Sequence, residues 1–142
     1  MIPAEVPGSA ILALHRATHA TLHALTARLA GLDLPAADIN VLANLADRVP
    51  RTVGALATAT ATRPSTLTSL LDRLTRRGFI ARESDPADRR SFVIRLTPAG
   101  QAAAVRAAEA IAELERQALA TVTPRQRAGF HAVIGALTEV PR

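Results

Sequence analysis

The hydrophobic positions recur with helical spacing along most of the chain, and proline and glycine separate the segments. Residues 9–30 contain neither Pro nor Gly and predict a first helix, which ends at Gly31. Pro35 occupies a first-turn position of a second predicted helix, which runs to about Asp47. Pro50 follows and prevents this helix from continuing.

The middle of the chain carries the most regular amphipathic pattern. Thr52 is suited to cap a short third helix that extends to about Thr58 or Ala59. A fourth helix is predicted from Pro64 to Arg77, with Gly78 as its C-terminal glycine. Its leucines fall at positions i, i+3, i+4 and i+7 and form one apolar stripe: Leu67, Leu70, Leu71 and Leu74.

Two strands and two more helices complete the pattern. Polar and apolar residues alternate from Phe79 to Glu83 and from Ser91 to Leu96, and the charged, turn-rich segment 85–90 lies between them. Thr97 and Thr123 are each followed by proline and predict the starts of two final helices. These helices extend to about Thr121 and about Thr138.

The order of elements is typical of a winged helix-turn-helix. We expect a single domain, residues 1–142, that is mainly α-helical with a small β-hairpin wing. The winged helix-turn-helix covers residues 35–97. The flanking helices, in 9–31 and 98–140, are not needed for a minimal winged helix, so a second copy of the chain is predicted to cover their apolar faces.

Charge is concentrated in the middle of the chain. The net charge is +5, and residues 48–95 hold ten arginines and four acidic residues, a local charge of +6. A local basic region is the footprint expected of a nucleic-acid contact, although a solvated arginine-rich surface has the same composition.

Composition argues against several other functions. The chain has no cysteine and no lysine, which removes thiol chemistry, cysteine-bound zinc and Schiff-base catalysis. No Ser-His-Asp or HExxH spacing occurs, so an enzyme is not expected and no cofactor or metal is predicted. No apolar run is long enough to span a membrane, and the N-terminus lacks the cation of a signal peptide. We therefore expect a cytoplasmic protein.

The fourth helix places a polar face opposite its leucines. Arg63 and Arg73 are the strongest candidates for contact with bases or phosphates, because a guanidinium can bind guanine with two hydrogen bonds. Asp72 is expected to pair with Arg76 or to orient a neighbouring arginine. An amphipathic helix with a solvated outer face is the alternative. The predicted DNA-binding residues of this region are Thr62, Arg63, Ser65, Thr66, Thr68, Ser69, Arg73 and Arg76.

The hairpin tip adds a second predicted contact. Arg89 and Arg90 lie there beside Asp88. Arginine is favoured in the minor groove, where the negative potential is concentrated. The alternative is an exposed turn with a local Asp–Arg ion pair.

The wing carries a motif with fixed spacing, which resembles the wing signature of the MarR family of transcription regulators. The motif reads Asp88-x-Arg90-x-x-x-Ile94-x-Leu96-Thr97-x-x-Gly100. Upstream segments resemble the helix-turn-helix of the same family, so that the similarity covers about residues 52–100. These segments are Leu56-Ala57, Thr66-Leu67-Thr68, Leu70-Leu71-Asp72-Arg73-Leu74 and Arg77-Gly78.

The resemblance implies a homodimer that binds a pseudo-palindromic operator in double-stranded DNA, usually to repress transcription. It implies that the helix from Pro64 to Arg77 enters the major groove, that Arg90 reaches the minor groove and that Asp88 orients the wing. It also implies a small effector, often phenolic or lipophilic, that releases the DNA. A winged-helix module that binds proteins instead of DNA is the alternative function.

Three histidines share one face of the first predicted helix. His15, His19 and His23 are spaced at i, i+4 and i+8. They are candidates for lining a ligand pocket, for filling a semi-polar helix interface, or for sensing pH. Zinc binding needs a third ligand, which His131 or a carboxylate of the last helix could supply across a dimer.

Overall fold

The computed structural model describes residues 8–140, which form six α-helices and a three-stranded antiparallel sheet. The helices are α1 (Ala10–Arg28), α2 (Ala36–Asn44), α3 (Val53–Thr60), α4 (Pro64–Arg76), α5 (Pro98–Ala118) and α6 (Pro124–Thr138), and a 3₁₀ turn (Ala30–Leu32) follows α1. The strands are β1 (Arg51–Thr52), β2 (Ile80–Ser84) and β3 (Phe92–Leu96). The predicted class, mainly helical with a small β wing, is confirmed.

The predicted helix starts are largely confirmed by capping hydrogen bonds. The hydroxyls of Thr52, Thr97 and Thr123 each accept a backbone N–H from the first turn of α3, α5 and α6. In α6, Gln126 completes a capping box by accepting the Thr123 N–H. Pro35 differs from the prediction: it is the N-cap of α2 and precedes the first helical residue.

The strand β1 was not predicted. It pairs with β3, with Arg51 opposite Ile94 and Thr52 opposite Val93, so the sheet order is β1-β3-β2. A two-residue strand is too short to show an alternation of polar and apolar residues, so the sequence gives no signal for it. The strand is defined only by its pairing with β3. The hairpin itself forms as expected, with Ile80 opposite Leu96 and Ser84 opposite Phe92.

Several predicted ends shift by a few residues. The helix α2 ends at Asn44, before the predicted Asp47, because the chain turns there and Arg48 takes a positive φ of 65°. The helix α5 ends at Ala118 where about Thr121 was expected. Gly78 has the predicted left-handed conformation, with φ 76°, immediately after the C-cap of α4.

The core lies between α2, α3, α4, the sheet and the N-terminal half of α5. All four leucines of the α4 stripe are buried, which confirms the predicted amphipathic face. They pack in one cluster with Leu42, Leu56 and Ile94. The helix α5 contributes only alanines to this cluster, Ala103, Ala104 and Ala107, so the backbones approach closely.

The outer helices bury little within one chain. Neither α1 nor α6 contains a buried residue. Leu12 is 63% exposed and Phe130 is 56% exposed. Within residues 8–140, no helix combines the length and hydrophobicity that a membrane crossing requires.

Candidate nucleic-acid interface

The helix α4 presents a face of short polar side chains to solvent. Ala61 adopts a left-handed conformation, φ 49°, and turns the chain between α3 and α4. The predicted contact residue Thr62 is half-buried in this turn. Five others are exposed on α4: Ser65, Thr66, Thr68, Ser69 and Arg76. The structure therefore brings the predicted α4 residues onto one accessible surface.

Arg73 has a protein partner that the sequence did not indicate. Its Nε donates to Oδ2 of Asp38 at 2.9 Å, and its Nη2 donates to Oδ1 at 2.6 Å. Asp38 is completely buried in the first turn of α2, whereas the Arg73 side chain is 43% exposed. These hydrogen bonds raise the pKa of the Arg73 guanidinium. They connect the flank of α4 to α2.

Asp72 forms an ion pair on the opposite flank of α4. Its Oδ1 accepts from Nη2 of Arg82 on β2 at 2.7 Å. The expected pair with Arg76 is not formed, so that part of the prediction is wrong. The alternative was that Asp72 orients a neighbouring arginine, and Asp72 does bind one. This arginine lies on β2, because the sheet packs beside the C-terminal half of α4.

Arg77, the C-cap of α4, connects this helix to the turn after α1. Its Nη1 donates to the Asp33 carbonyl at 2.5 Å, and its Nη2 donates to the Leu32 carbonyl at 3.0 Å. The guanidinium also lies 5.3 Å from the centre of the Phe79 ring, a cation–π geometry. Arg77 is thus engaged within the protein.

The four other arginines of α4 and the wing tip have no protein partner within the described part of the chain. Among residues 8–140, no side-chain hydrogen bond or ion pair of Arg63, Arg76, Arg89 or Arg90 is formed, and all four are exposed. Arg63 lies at the N-cap of α4 and Arg76 in its last turn. Arg89 and Arg90 lie at the wing tip. These four unpaired charges lie on the two elements predicted to contact DNA, although they are not the full set. Among residues 8–140, four more exposed arginines also form no side-chain hydrogen bond or ion pair: Arg16, Arg48, Arg106 and Arg125.

The wing tip is held by carboxylates that accept backbone N–H groups. Asp88 Oδ1 accepts from the backbone N–H of Arg90 at 3.0 Å, and its role in orienting the wing stays a prediction. Asp85 Oδ1 accepts from the Ala87 N–H at 2.9 Å, and the Asp85 N–H donates to the Ser91 carbonyl. The alternative, a local Asp88–Arg ion pair, is not formed among residues 8–140. Sequence reasoning missed Asp85, although aspartate before proline is a turn signal.

The remaining arginines of the sheet are paired. Arg95 on β3 donates from Nε to Oε2 of Glu83 on β2 at 2.9 Å. Arg51 on β1 binds Asp47 with both terminal nitrogens. The Arg51 guanidinium and the Val49 N–H hold the pKa of the Asp47 carboxyl well below its usual range. The arginines of the sheet are thus all paired, whereas α4 and the wing tip carry both paired arginines, Arg73 and Arg77, and unpaired ones.

The start of α5 is docked onto the turn that follows α4. The Thr97 hydroxyl donates to the Gly78 carbonyl at 2.6 Å, and the Thr97 N–H donates to the Phe79 carbonyl at 3.0 Å. A Cβ on Gly100 would lie 1.7 Å from the Phe79 carbonyl oxygen. Only glycine permits this approach, which joins the wing to the long helix α5.

The histidines of α1 lie apart from this surface. His15, His19 and His23 are all exposed within one chain. In residues 8–140, no group of three His, Asp or Glu side chains is arranged to hold a metal ion. A cavity of about 320 Å³ lies elsewhere, between Arg48, Pro50, Leu96 and Gln101 among others.

The sequence matches the MarR family over residues 32–91. An uncharacterized HTH-type transcriptional regulator of Bacillus subtilis (strain 168), YcgE, is 41% identical over 75 residues. This alignment covers 51% of the present chain and 46% of YcgE, so it spans about half the length of that relative.

Solved structures match over nearly the whole chain. BpsR of Bordetella bronchiseptica, whose DNA binding is regulated by 6-hydroxynicotinic acid, superposes with a TM-score of 0.79 at 23% identity. The match covers 98% of this chain and 99% of BpsR. The transcriptional repressor CouR, bound to a 23-mer DNA duplex, superposes with a TM-score of 0.74 at 26% identity, over 89% of this chain and 90% of CouR. The outer helices therefore belong to the shared fold.

Proposed function

We propose that the chain is a member of the MarR family of transcription regulators. It is a sequence-specific DNA-binding regulator that represses transcription as a homodimer. In this proposal α4 enters the major groove and the wing tip follows the adjacent minor groove. The protein acts in the cytoplasm and has no enzymatic role.

The observation that carries the proposal is the distribution of unpaired arginines. Arg63 and Arg76 at the two ends of α4, and Arg89 and Arg90 at the wing tip, are exposed and have no partner among the described residues. DNA phosphates and the narrow minor groove are the acceptors that satisfy such a set of cations. CouR, which shares this fold, is bound to a DNA duplex in its structure.

A homodimer accounts for the apolar side chains that one chain leaves in water. Ile11 and Leu12 on α1 are more than half exposed, as are Phe130 and Val133 on α6. Exposed apolar surface of this kind is costly in a monomer and is typical of an interface. A two-fold symmetric dimer would place two α4 helices about one turn of DNA apart, which matches a pseudo-palindromic operator.

We extend the proposal to a small effector, phenolic or lipophilic, that releases the DNA. The support is the resemblance of the chain to ligand-responsive regulators, since the DNA binding of BpsR is regulated by 6-hydroxynicotinic acid. The cavity of about 320 Å³ beside Arg48 and Arg95 is within the size range of ligand pockets and adjoins the β3–α5 junction. The histidines His15, His19 and His23 remain candidates for a pocket completed by the second copy.

Fluorescence anisotropy tests the proposal directly. The purified protein is titrated onto the DNA upstream of its own gene and onto scrambled DNA of the same composition, at two salt concentrations. We expect tighter binding to the upstream DNA and a steep loss of affinity with salt, because phosphate contacts release counterions. If upstream DNA gives no preference, the same titration is run on duplexes recovered by the protein from a randomised pool. Absence of binding to both DNAs at low salt would contradict DNA recognition and favour the protein-interaction alternative.

A further inference from the structure

The buried carboxylate of Asp38 has one charged partner, Arg73. Asp38 is 0% exposed, and both of its oxygens accept hydrogen bonds from the Nε–Nη2 side of that guanidinium. A buried carboxylate without a partner is strongly unfavourable, so the protein holds Arg73 in this position. The pair therefore fixes a long side chain that would otherwise sample many rotamers.

The opposite edge of Arg73 remains available. A guanidinium carries five N–H donors, and two of them are used by Asp38. No acceptor among residues 8–140 binds Nη1, and the side chain is 43% exposed. Arg73 lines an open recess of about 370 Å³ together with Ser65, Thr66 and Ser69 of the exposed α4 face. This recess contains no acidic side chain that would repel a phosphate.

We propose that Asp38 is a positioning residue of the DNA interface: it holds Arg73 so that the outer Nη1–Nη2 edge donates two parallel hydrogen bonds to neighbouring acceptors of the bound DNA. The inference rests on the proposed DNA-binding function. The acceptors are either O6 and N7 of a guanine or two oxygens of a backbone phosphate, since both pairs match this edge. Because Arg73 is ordered before binding, its rotamer entropy is not lost in the complex.

A double-mutant cycle tests whether Asp38 acts through Arg73. Wild type, Asp38→Asn, Arg73→Gln and the double variant are titrated by anisotropy onto one duplex that the wild type recovers from a randomised pool. We expect each single variant to weaken binding by about tenfold, which is a usual size for a lost bidentate contact. The double variant is expected to bind no more weakly than Arg73→Gln, because Asp38 has nothing left to orient.

Two further variants separate positioning from a general structural effect. Arg73→Lys keeps a cation beside Asp38 but lacks the planar fork, and we expect the same loss of affinity as in Arg73→Gln. Asp72→Asn is the matched control, because it breaks the ion pair with Arg82 on the other flank of α4. Its effect should be equal in the wild-type and Arg73→Gln backgrounds. Thermal melting followed by circular dichroism establishes that each variant is folded. If Asp38→Asn does not fold, the affinity of Arg73→Lys tests the inference instead.

The two kinds of acceptor give different patterns. If Arg73 contacts a guanine, 7-deazaguanine at one position weakens wild type but not Arg73→Gln. If it contacts a phosphate, no single 7-deazaguanine distinguishes wild type from Arg73→Gln, and the salt slope of Arg73→Gln falls by about one. Both patterns support the inference. The inference would be overturned if Asp38→Asn lowered the DNA affinity equally in the wild-type and Arg73→Gln backgrounds. Wild-type DNA affinity in Arg73→Lys would also overturn it. A wild type that binds no duplex would instead refute the proposed function.

Discussion

The replacement of Gly100 by alanine tests the docking of α5 onto the wing. The new Cβ would lie 1.7 Å from the Phe79 carbonyl oxygen, 2.7 Å from its carbon and 3.2 Å from Cδ2 of Leu96. Cβ contacts shorter than 3.0 Å essentially do not occur, so the Phe79 carbonyl must retreat by at least 1.3 Å, the difference between 3.0 and 1.7 Å. The obstacle is backbone, which cannot change rotamer, and the same carbonyl accepts the Thr97 N–H.

The expected loss of stability follows from three contributions. Overpacking against backbone costs about 3 kcal/mol, the upper part of the usual range. The weakened Thr97–Phe79 hydrogen bond costs about 1 kcal/mol. The higher helix propensity of alanine over glycine stabilises α5 by about 1 kcal/mol. We therefore expect Gly100→Ala to lower the free energy of unfolding by about 3 kcal/mol.

Urea denaturation followed by circular dichroism measures this change, at fixed protomer concentration because dimerisation contributes to stability. Gly54→Ala is the matched control: nothing lies within 4 Å of its Cβ position in α3, so stability should stay the same or rise by up to about 1 kcal/mol. A Gly100→Ala protein within about 0.5 kcal/mol of wild type would refute the reasoning.

Three other substitutions probe the wing, the core and the sheet. Arg90→Ala should weaken binding to all DNA sequences by about 1–3 kcal/mol in anisotropy, since it removes a groove or phosphate contact; unchanged affinity would contradict the wing assignment. Leu71→Ala should lower the free energy of unfolding by about 2–5 kcal/mol in urea, because Leu71 is fully buried; a loss below about 1 kcal/mol would show that the site is not tightly packed. Arg51 depresses the folded-state pKa of Asp47, so their contribution to stability is present above the unfolded pKa near 3.8 and is lost as pH falls through the lower folded value. In urea titrations over this pH range, the free energy of unfolding of Asp47→Asn should therefore fall less with acid than that of wild type. An equal pH dependence in the two proteins would contradict a stabilising Asp47–Arg51 ion pair.

Local signals in the sequence were sufficient for most of the fold. The four leucines of α4 predicted its buried face, because one helix presents them at a spacing that no strand shares. Thr97 and Thr123, each before proline, predicted the starts of α5 and α6, since capping depends on residues within one turn. The wing followed from two alternating segments around a turn.

The contacts that organise the interface were harder to predict because their partners are distant in sequence. Asp38 and Arg73 are 35 residues apart and lie on different helices, so no spacing rule relates them. Asp72 was expected to bind Arg76, one turn away, yet the sheet brings Arg82 closer. The strand β1 is two residues long and exists only through its pairing with β3. Tertiary packing decided each of these cases.

The candidate DNA-binding residues fall into two groups that the sequence could not separate. Arg63, Arg76, Arg89 and Arg90 keep unpaired charge, whereas Arg73 is bound on one side by Asp38. All of them are arginine in an otherwise similar basic region, and only the neighbouring elements distinguish them. The difference bears on mechanism, because a pre-oriented arginine contributes geometry and a free arginine contributes mainly charge.

Hydroxyl-radical footprinting on the preferred duplex tests the central claim most directly, that two copies of this winged helix-turn-helix bind one operator. We expect two protected half-sites whose centres lie about 10 base pairs apart, or a multiple of that spacing, with protection of the adjacent minor grooves by the wing tips. That minor-groove protection should disappear in the Arg90→Ala variant. A single protected segment without two-fold symmetry, or uniform cleavage along the duplex, would contradict the claim.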